Sequence, residues 1–434
     1  GIEMSTEKIT QAKAEISKTS AYKVITEFFD EGSFIEIDTY AKSGDNYAEA
    51  VAGYGSVNGL PCYAFCQNID VANGAMSKAQ AAKLKKVYDL ALKNGAPVVG
   101  IYDSLGGKLK EGNELLNAYG TVLHAASTLS GVVPQISVVL SDCLGTSAIT
   151  ASSADFVIKA KDAKISVQTS DDEGCNCSVA IIADDKEDAI SKAKDLILYM
   201  PSNNLSTAPC AEEFGPDPEG KCIVCKTLDA GSDVKLYDHI GETAKVGFAR
   251  LQGEVVGVVQ TKGGKIQKPD GKKITKLVSF CDAFSIPVIT FLNSEGFDCL
   301  GAATSVTNAY AEATTTKITV ITGKAVGPVY VAMAGSGAMT DLTFALPEAV
   351  VSPLNEMAAT FLLAPEKMEV PVKDQPKVAE EFAQANLSAF KAAEDGVIEN
   401  IVTEAELRTV LGQSVTMLMS KRVSTLPKKH STIG

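Results

Sequence analysis

Ala96-Pro-Val-Val-Gly-Ile-Tyr-Asp-Ser104 and Ile286-Pro-Val-Ile-Thr-Phe-Leu-Asn-Ser294 decide the reading of this chain, because they are two versions of one pattern. Each sets a proline before an apolar, β-rich run that stops at a polar turn, which reads as a buried strand. The likeness spreads outward from both. Upstream, Gly53-Tyr-Gly-Ser-Val-Asn-Gly59 is echoed by Gly247-Phe-Ala-Arg-Leu-Gln-Gly253. Downstream, Gln135-Ile-Ser-Val-Val-Leu leads into Cys143-Leu-Gly-Thr, as Lys317-Ile-Thr-Val-Ile-Thr leads into Ala325-Val-Gly-Pro. The pairs keep one order and lie too far apart for a solenoid, so the repeated unit is a whole domain. Two similar halves can build a cleft between a half of one subunit and the opposite half of another.

Between these motifs, helical and strand patterns alternate, which reads as α/β. An amphipathic helix is expected over 6–29, then strands over 50–55, 62–67, 98–103, 135–140, 156–159 and 164–168. Helices are expected over 78–94, 113–129 and 186–199, with two more near 377–394 and 403–421. Residues 201–242, rich in Pro, Gly, Ser, Asp and Glu, read as a bridge. The expected division is an entry segment over 1–50, a first domain with its bridge over 51–242, and a second domain over 243–434.

The chain has 434 residues and a net charge of −13, which excludes general nucleic-acid binding, since that needs a basic footprint. No apolar run is long enough for a transmembrane segment. No signal-peptide pattern is present, and Gly1-Ile-Glu reads as a non-native leader before Met4, so a cytoplasmic location is expected. Of the ten cysteines, Cys62, Cys66, Cys143 and Cys281 sit in apolar stretches and read as small core residues. Cys175, Cys177, Cys210, Cys222 and Cys225 are closely spaced, but the two C-x-x-C units of a zinc site are missing, and reduced thiols are the expectation. His124, His239 and His430 lie in no triad-like context and read as structural or surface residues.

Further stretches carry a family resemblance. They are Glu31-Gly-Ser-Phe-Ile-Glu36, Asn73-Gly-Ala-Met-Ser77 with Lys83, Asp103-Ser-Leu-Gly-Gly-Lys-Leu-Lys-Glu-Gly112 and Ser130-Gly-Val-Val-Pro-Gln-Ile-Ser137. Tyr199-Met-Pro-Ser-Asn-Asn204, Phe280-Cys-Asp-Ala-Phe284, Ala311-Glu-Ala-Thr314, Gly396-Val-Ile-Glu, Arg408, Ser420-Lys-Arg422 and Lys428-Lys-His430 follow in order. With them the chain resembles the carboxyltransferase subunits of biotin-dependent acyl-CoA carboxylases and decarboxylases, of the propionyl-CoA carboxylase β and methylmalonyl-CoA decarboxylase α type. The resemblance implies two tandem crotonase-like β-spiral domains. It also implies carboxyl transfer between the N1 atom of carboxybiotin and the α-carbon of a short acyl-CoA, propionyl-CoA or methylmalonyl-CoA. Biotin would ride on a separate biotin carboxyl carrier protein, since Met-Lys-Met is absent, and a homo- or hetero-oligomer with a carboxyltransferase homologue is expected.

In such chemistry both developing oxyanions need preorganised donors, which backbone N–H groups at a strand-to-helix turn supply. By the resemblance, the amides of Gly145 and Thr146 hold the thioester enolate, and Gly327 and Val329 stand on the biotin side. Gly106 and Gly107 border the coenzyme A site, and Lys78 and Lys83, on or near one helix with Lys85 and Lys86, are candidates for its phosphates. A lysine-rich run, Lys262 to Lys276, reads as an exposed Gly-rich loop entering a helix, with an anion at the helix start as the other reading.

Four features depart from the family. Pro328 has no N–H. Ser352-Pro-Leu-Asn-Glu-Met357 replaces a Gly-Ala-rich turn. The stretch after Glu295-Gly-Phe297 is short and lacks a loop and helix for the biotin channel. Asp171-Asp-Glu-Gly-Cys175 replaces an acidic Gly-Gly-Ala segment. The alternatives are a non-catalytic paralogue acting as scaffold or regulator of an active carboxyltransferase, and a crotonase-type enzyme that works without biotin.

Overall fold

A two-residue hairpin turn with positive φ at both positions opens each half. In the computed structural model, which describes residues 1–168 and 176–419, these turns are Asn58-Gly59 (φ 51° and 78°) and Gln252-Gly253 (φ 53° and 82°). Such type I′ turns match the twist of the strands they join and favour glycine at the second position. An aspartate upstream clamps each turn. Asp30 accepts the N–H groups of Asn58 at 2.9 Å and Gly59 at 2.8 Å, and Asp229 accepts those of Gln252 and Gly253, both at 2.8 Å. Ser33 and Ser232 add the same bond in each half, accepting Ser56 N–H at 3.2 Å and Arg250 N–H at 3.0 Å. The Gly59 bond, with Ser56 and Asn58, holds the Asp30 carboxyl below the usual range despite some burial.

The chain divides into two compact units, Gly1–Ala208 and Pro209–Gly434. The main sheet of the first runs in the order Ile35–Ile37, Ala50–Val57, Leu60–Gln67, Val98–Tyr102, Gln135–Val139, Phe156–Ala160, Ile181–Ala183. Its first three strands are antiparallel and the rest parallel. That of the second runs Val234–Leu236, Ala244–Leu251, Glu254–Thr261, Val288–Ser294, Lys317–Val326, Leu342–Ala345, Asn400–Ile401, with the same change of sense. Each unit also turns into a second layer of short parallel pairs. Cys143–Leu144 pairs with Ile165–Ser166 in the first, as the end of Lys317–Val326 pairs with Val350–Ser352 in the second. The Met76–Gly107 bridge corresponds to Lys265–Ile266 with Gly296–Phe297. These are the two tandem β-spirals expected.

Helix Lys78–Asn94 begins where the Ser77 side chain accepts Gln80 N–H, and ends at Gly95, whose φ of 67° stops the helix. Together with helix Glu114–Leu129 it closes a core containing Phe65, Leu84, Val87, Val122 and Val157. Each such side chain, fully buried, stabilises the fold by roughly 1.5–3 kcal/mol. In the second unit Phe291, Ile318 and Val320 meet Leu407, Leu411 and Val415 of the terminal helix Glu404–Leu418.

Several details differ from the sequence expectation. The opening helix is two, Ile2–Ser17 and Ser20–Phe28. The helix near 377–394 breaks into Gln375–Asn386 and Ala389–Glu394, because Ser388 caps a new start by accepting Lys391 N–H. The lysine-rich run lies mostly on helix Lys268–Ala283 rather than in a loop. The units meet at 208/209 rather than 242/243, so most of the expected bridge belongs to the second unit. There Val234–Leu236 pairs with Ala244–Leu251, and Arg408 ties the segment down. Its guanidinium donates to Thr227 O at 2.9 Å and Phe214 O at 2.7 Å, and pairs with Asp229 at 2.9 Å. The Asp229 side chain is only 2% exposed. Arg408→Ala is therefore expected to destabilise the chain by about 3 kcal/mol, since it strands a buried charge; a melting curve checks this.

Asp171–Cys175, Ser420–Arg422 and Lys428–His430 lie outside the described residues. Among the described residues, no helix is long and apolar enough to cross a membrane.

Candidate functional site

The first strand-to-helix turn runs from Cys143–Leu144 through Gly145 into helix Thr146–Ser152. Gly145 has φ 63° and ψ −131°, a conformation that favours glycine. Its N–H is not open to a ligand, because it donates to Ser166 O at 2.8 Å. This corrects the expectation that Gly145 is an enolate donor. Thr146 N–H, at the first helical position, has no acceptor among the described residues, as the first amides of a helix lack intrahelical partners.

The loop after Val98–Tyr102 faces this turn. Ser104 Oγ donates to Gly106 O and accepts Gly106 N–H, both at 3.1 Å. Met76 bonds to Gly106 O and Lys108 N–H on either side of Gly107, which turns the N–H of Gly107 to the opposite edge. A Cβ at Gly107 would stand 2.7 Å from Leu115 Cδ2. Loop and turn enclose a cavity of about 180 Å³ lined by Gln67, Ser104, Gly106, Cys143, Leu144 and Ser147, among others. Burial pushes the Cys143 thiol up to about 12 and the Tyr102 phenol well above its ordinary value. Neither offers a nucleophile or a proton near neutral pH.

A buried polar network holds the loop in place. Lys108 Nζ pairs with Glu49 Oε1 at 2.7 Å and donates to Ser43 Oγ at 2.8 Å. Ser77 Oγ donates to Glu49 Oε2 at 2.7 Å, and Gln67 Oε1 accepts Asp103 N–H at 3.1 Å. The sequence reading missed Glu49, Ser77 and Gln67 as supports. One signal was legible: Ser77-Lys-Ala-Gln80 before an apolar-periodic run has the spacing of a helix start.

Lys83 is corrected as a phosphate ligand. It is 2% exposed and its ammonium donates to Ala50 O at 2.8 Å. Burial lowers its pKa, opposed by Glu36, Asp38 and Glu49. Lys273, the same helical position in the second unit, is likewise buried and donates to Ile240 O at 2.6 Å. Both lysines bind carbonyls of their own unit. The Lys78 side chain stays exposed, and its backbone N–H donates to Glu111 at 2.8 Å.

The second turn repeats the first. Gly327 has φ 53° and ψ −119°, its N–H donates to Ser352 O at 2.8 Å, and helix Pro328–Met333 follows. Ser352-Pro-Leu-Asn thus takes the role of the segment beginning at Ser166, and Asn355 caps helix Glu356–Leu363 by accepting Ala358 N–H at 2.9 Å. Pro328 stands where Thr146 stands in the first unit. Gly327 N–H is engaged and Pro328 has none, so only Val329 N–H, above a fully buried side chain, remains of the expected pair. Of the two turns, only the first keeps an N–H at the residue after its glycine, Thr146 against Pro328. The short stretch after Phe297 is also evident, with Asp298-Cys299 alone joining strand Gly296–Phe297 to helix Leu300–Glu312.

Cys62, Cys66, Cys143 and Cys281 are buried, as expected, with thiol pKa values raised by desolvation. Cys177 is disulfide-bonded, which corrects the expectation of a reduced thiol there. Among the described residues, no three His, Cys, Asp or Glu side chains gather as a metal site. His124 and His239 are exposed.

The family model described as "Carboxyl transferase domain" matches residues 15–171 and 174–433. The chain is 29% identical to the methylmalonyl-CoA decarboxylase subunit alpha of Veillonella parvula over 490 positions, covering 98% of this chain and 95% of that one. It is 28% identical to the propionyl-CoA carboxylase beta chain of Roseobacter denitrificans over 482 positions, covering 96% and 94%. Both alignments exceed the 434 residues of this chain, so the relatives carry insertions that it lacks. Among solved structures, the transcarboxylase 12S hexamer with methylmalonyl-CoA bound has a TM-score of 0.91 at 24% identity, over 100% of this chain and 99% of that one, which shows a shared fold. With nearly its whole length matched, the chain belongs to the carboxyl transferase domain family.

Proposed function

We propose that this chain is the carboxyltransferase component of a biotin-dependent acyl-CoA carboxylase or decarboxylase, acting on propionyl-CoA or methylmalonyl-CoA. The observation that carries the reading is the first-unit cavity between the loop at Ser104 and Gly106 and the turn at Cys143, Leu144 and Ser147, beside which the Thr146 amide has no acceptor among the described residues. Deprotonating or decarboxylating an acyl-CoA at its α-carbon places negative charge on the thioester oxygen. Thr146 N–H, joined by Gly107 N–H, would stabilise that charge without reorganising. Gly145 supplies the conformation and Thr146 the bond.

The carboxyl carrier would be biotin on a separate protein, and the chain would work as an oligomer in the cytoplasm. Pro328 favours a second reading, a paralogue that has lost one half-site and serves as scaffold or regulator of an active homologue.

Calorimetric titration with propionyl-CoA and acetyl-CoA, followed by a carboxyl-transfer assay with a carboxybiotin donor, tests the proposal. Saturable thioester binding with transfer is expected. Binding without transfer points to the paralogue or to a biotin-free enzyme, and the absence of binding overturns the first-unit site.

A further inference from the structure

Among the free thiols described, Cys222 and Cys225 stand apart. Cys62, Cys66, Cys143 and Cys281 are buried, and Cys299 caps a helix by accepting Ala302 N–H at 3.4 Å. Cys210 is exposed but lies against Glu254, with Sγ–O distances of 3.3 and 3.4 Å. Cys222 and Cys225 are both exposed, with their sulfurs 2.8 Å apart. The contact is built into the backbone. Cys225 N–H donates to Cys222 Sγ at 3.3 Å, and Asp217 N–H donates to Cys225 O at 3.3 Å. Gly220 makes room for the pair, since a Cβ there would stand 2.8 Å from Cys225 Cβ. Cys222, in extended conformation just before helix Ile223–Thr227, and Cys225 in its first turn thus hold their sulfurs close enough for a disulfide to close between them.

We propose that Cys222 and Cys225 form a thiol–disulfide exchange site for low-molecular-weight disulfides, with Cys222 as the attacking sulfur and Cys225 as the resolving one. Cys222 loses its proton and attacks one sulfur of the small disulfide. The S–S bond breaks, one thiolate leaves and takes up a proton, and a mixed disulfide remains on Cys222. Cys225, giving up its proton, attacks Cys222 Sγ and displaces the second small thiol. The protein gains one disulfide, and the reagent is reduced to two thiols. The order of attack follows from the surroundings of the two sulfurs. Burial opposes ionisation of Cys222, but donors from Cys225 and from nearby backbone N–H groups outweigh it and hold its pKa below the ordinary thiol value. Cys225 is raised, mainly by its bond to Cys222, and Cys210 is raised by Glu254. The closed clip would span the first turn of helix Ile223–Thr227, where Ile223 and Val224 pack on the core that Leu407 and Leu411 share. This site is independent of the carboxyl-transfer reading.

The test uses the full chain, reduced, freed of reductant and exposed to oxidised glutathione at neutral pH. Aliquots are quenched with N-ethylmaleimide and mapped by peptide mass spectrometry. A Cys222–Cys225 disulfide is expected in the wild type, forming at least about tenfold faster than any adduct on Cys210. Cys225→Ser should accumulate the glutathione adduct on Cys222, because the resolving thiol is gone, and Cys222→Ser should react at Cys225 at least about tenfold more slowly. Both thiols remaining alkylatable in the wild type, or equal rates in the two variants, would overturn the proposal. The wild-type time course decides the matter even if a variant folds poorly.

Discussion

Thr146→Pro folds normally and lowers carboxyl transfer by about 10²–10³-fold, the loss that follows removal of one oxyanion donor. The chain itself supplies the structural control. Gly327-Pro328 builds the same turn as Gly145-Thr146, with glycine φ of 53° and 63° and the same bond from the glycine N–H to a serine carbonyl. Proline is well tolerated at the first helical position, whose N–H has no intrahelical partner. Thr146→Pro therefore deletes one N–H and leaves the turn standing. Circular dichroism and the melting temperature should be unchanged and kcat should carry the loss, while Thr146→Ala, which keeps the amide, should stay active. A fully active Thr146→Pro enzyme would sink the donor role. Gly145→Pro is the poorer probe, because proline cannot adopt φ 63° and the Gly145 amide is already bonded. The reciprocal change, Pro328→Ala, adds the missing amide to the second turn. Faster transfer would place that turn at a site of developing charge, and an unchanged rate would leave it a packing element.

Lys108→Met costs the first unit about 3–5 kcal/mol, the usual penalty for leaving a buried charge without its partner. The Glu49 side chain is 0% exposed and that of Lys108 is 25% exposed, with the charged atoms 2.7 Å apart. A surface pair would contribute little, but here the loss strands a carboxylate inside the protein. For a unit of this size the melting temperature should fall by roughly 10 °C. Lys108→Met with Glu49→Gln should recover most of that loss, since an amide carries no charge and can still accept the Ser77 hydroxyl. A double variant no more stable than Lys108→Met would refute the charge argument. Because Lys108 anchors the loop that carries Gly106 and Gly107, transfer should fall in the single variant even below its melting temperature.

Much of the fold was legible because its signals are local. Ser77 and Gly95 bound a helix over 78–94 that the sequence places to the residue. The proline-led apolar runs became strands Val98–Tyr102 and Val288–Ser294 at equivalent places in the two sheets. The true start of the second repeat was legible too, as Asp229-Ala-Gly-Ser232 against Asp30-Glu-Gly-Ser33. It lay within a Pro-, Gly- and acid-rich stretch that local composition marks as linker, and only the aspartate clamp on a hairpin downstream shows that it belongs to the fold.

The sequence by itself determined the repeat, the alternation of strands and helices in the first half, the glycines at both turns and the lack of an N–H at Pro328, because these follow from covalent structure and short-range periodicity. Only the tertiary structure decided that Gly145 N–H is closed and Thr146 N–H open, and that Lys83 lies buried against Ala50 rather than free for a phosphate. Each of those outcomes depends on an acceptor supplied by a strand distant along the chain, Ser166 for Gly145 and Ala50 for Lys83. A hydrogen bond needs its partner within about 3 Å, and it is packing, not local sequence, that brings the partner there.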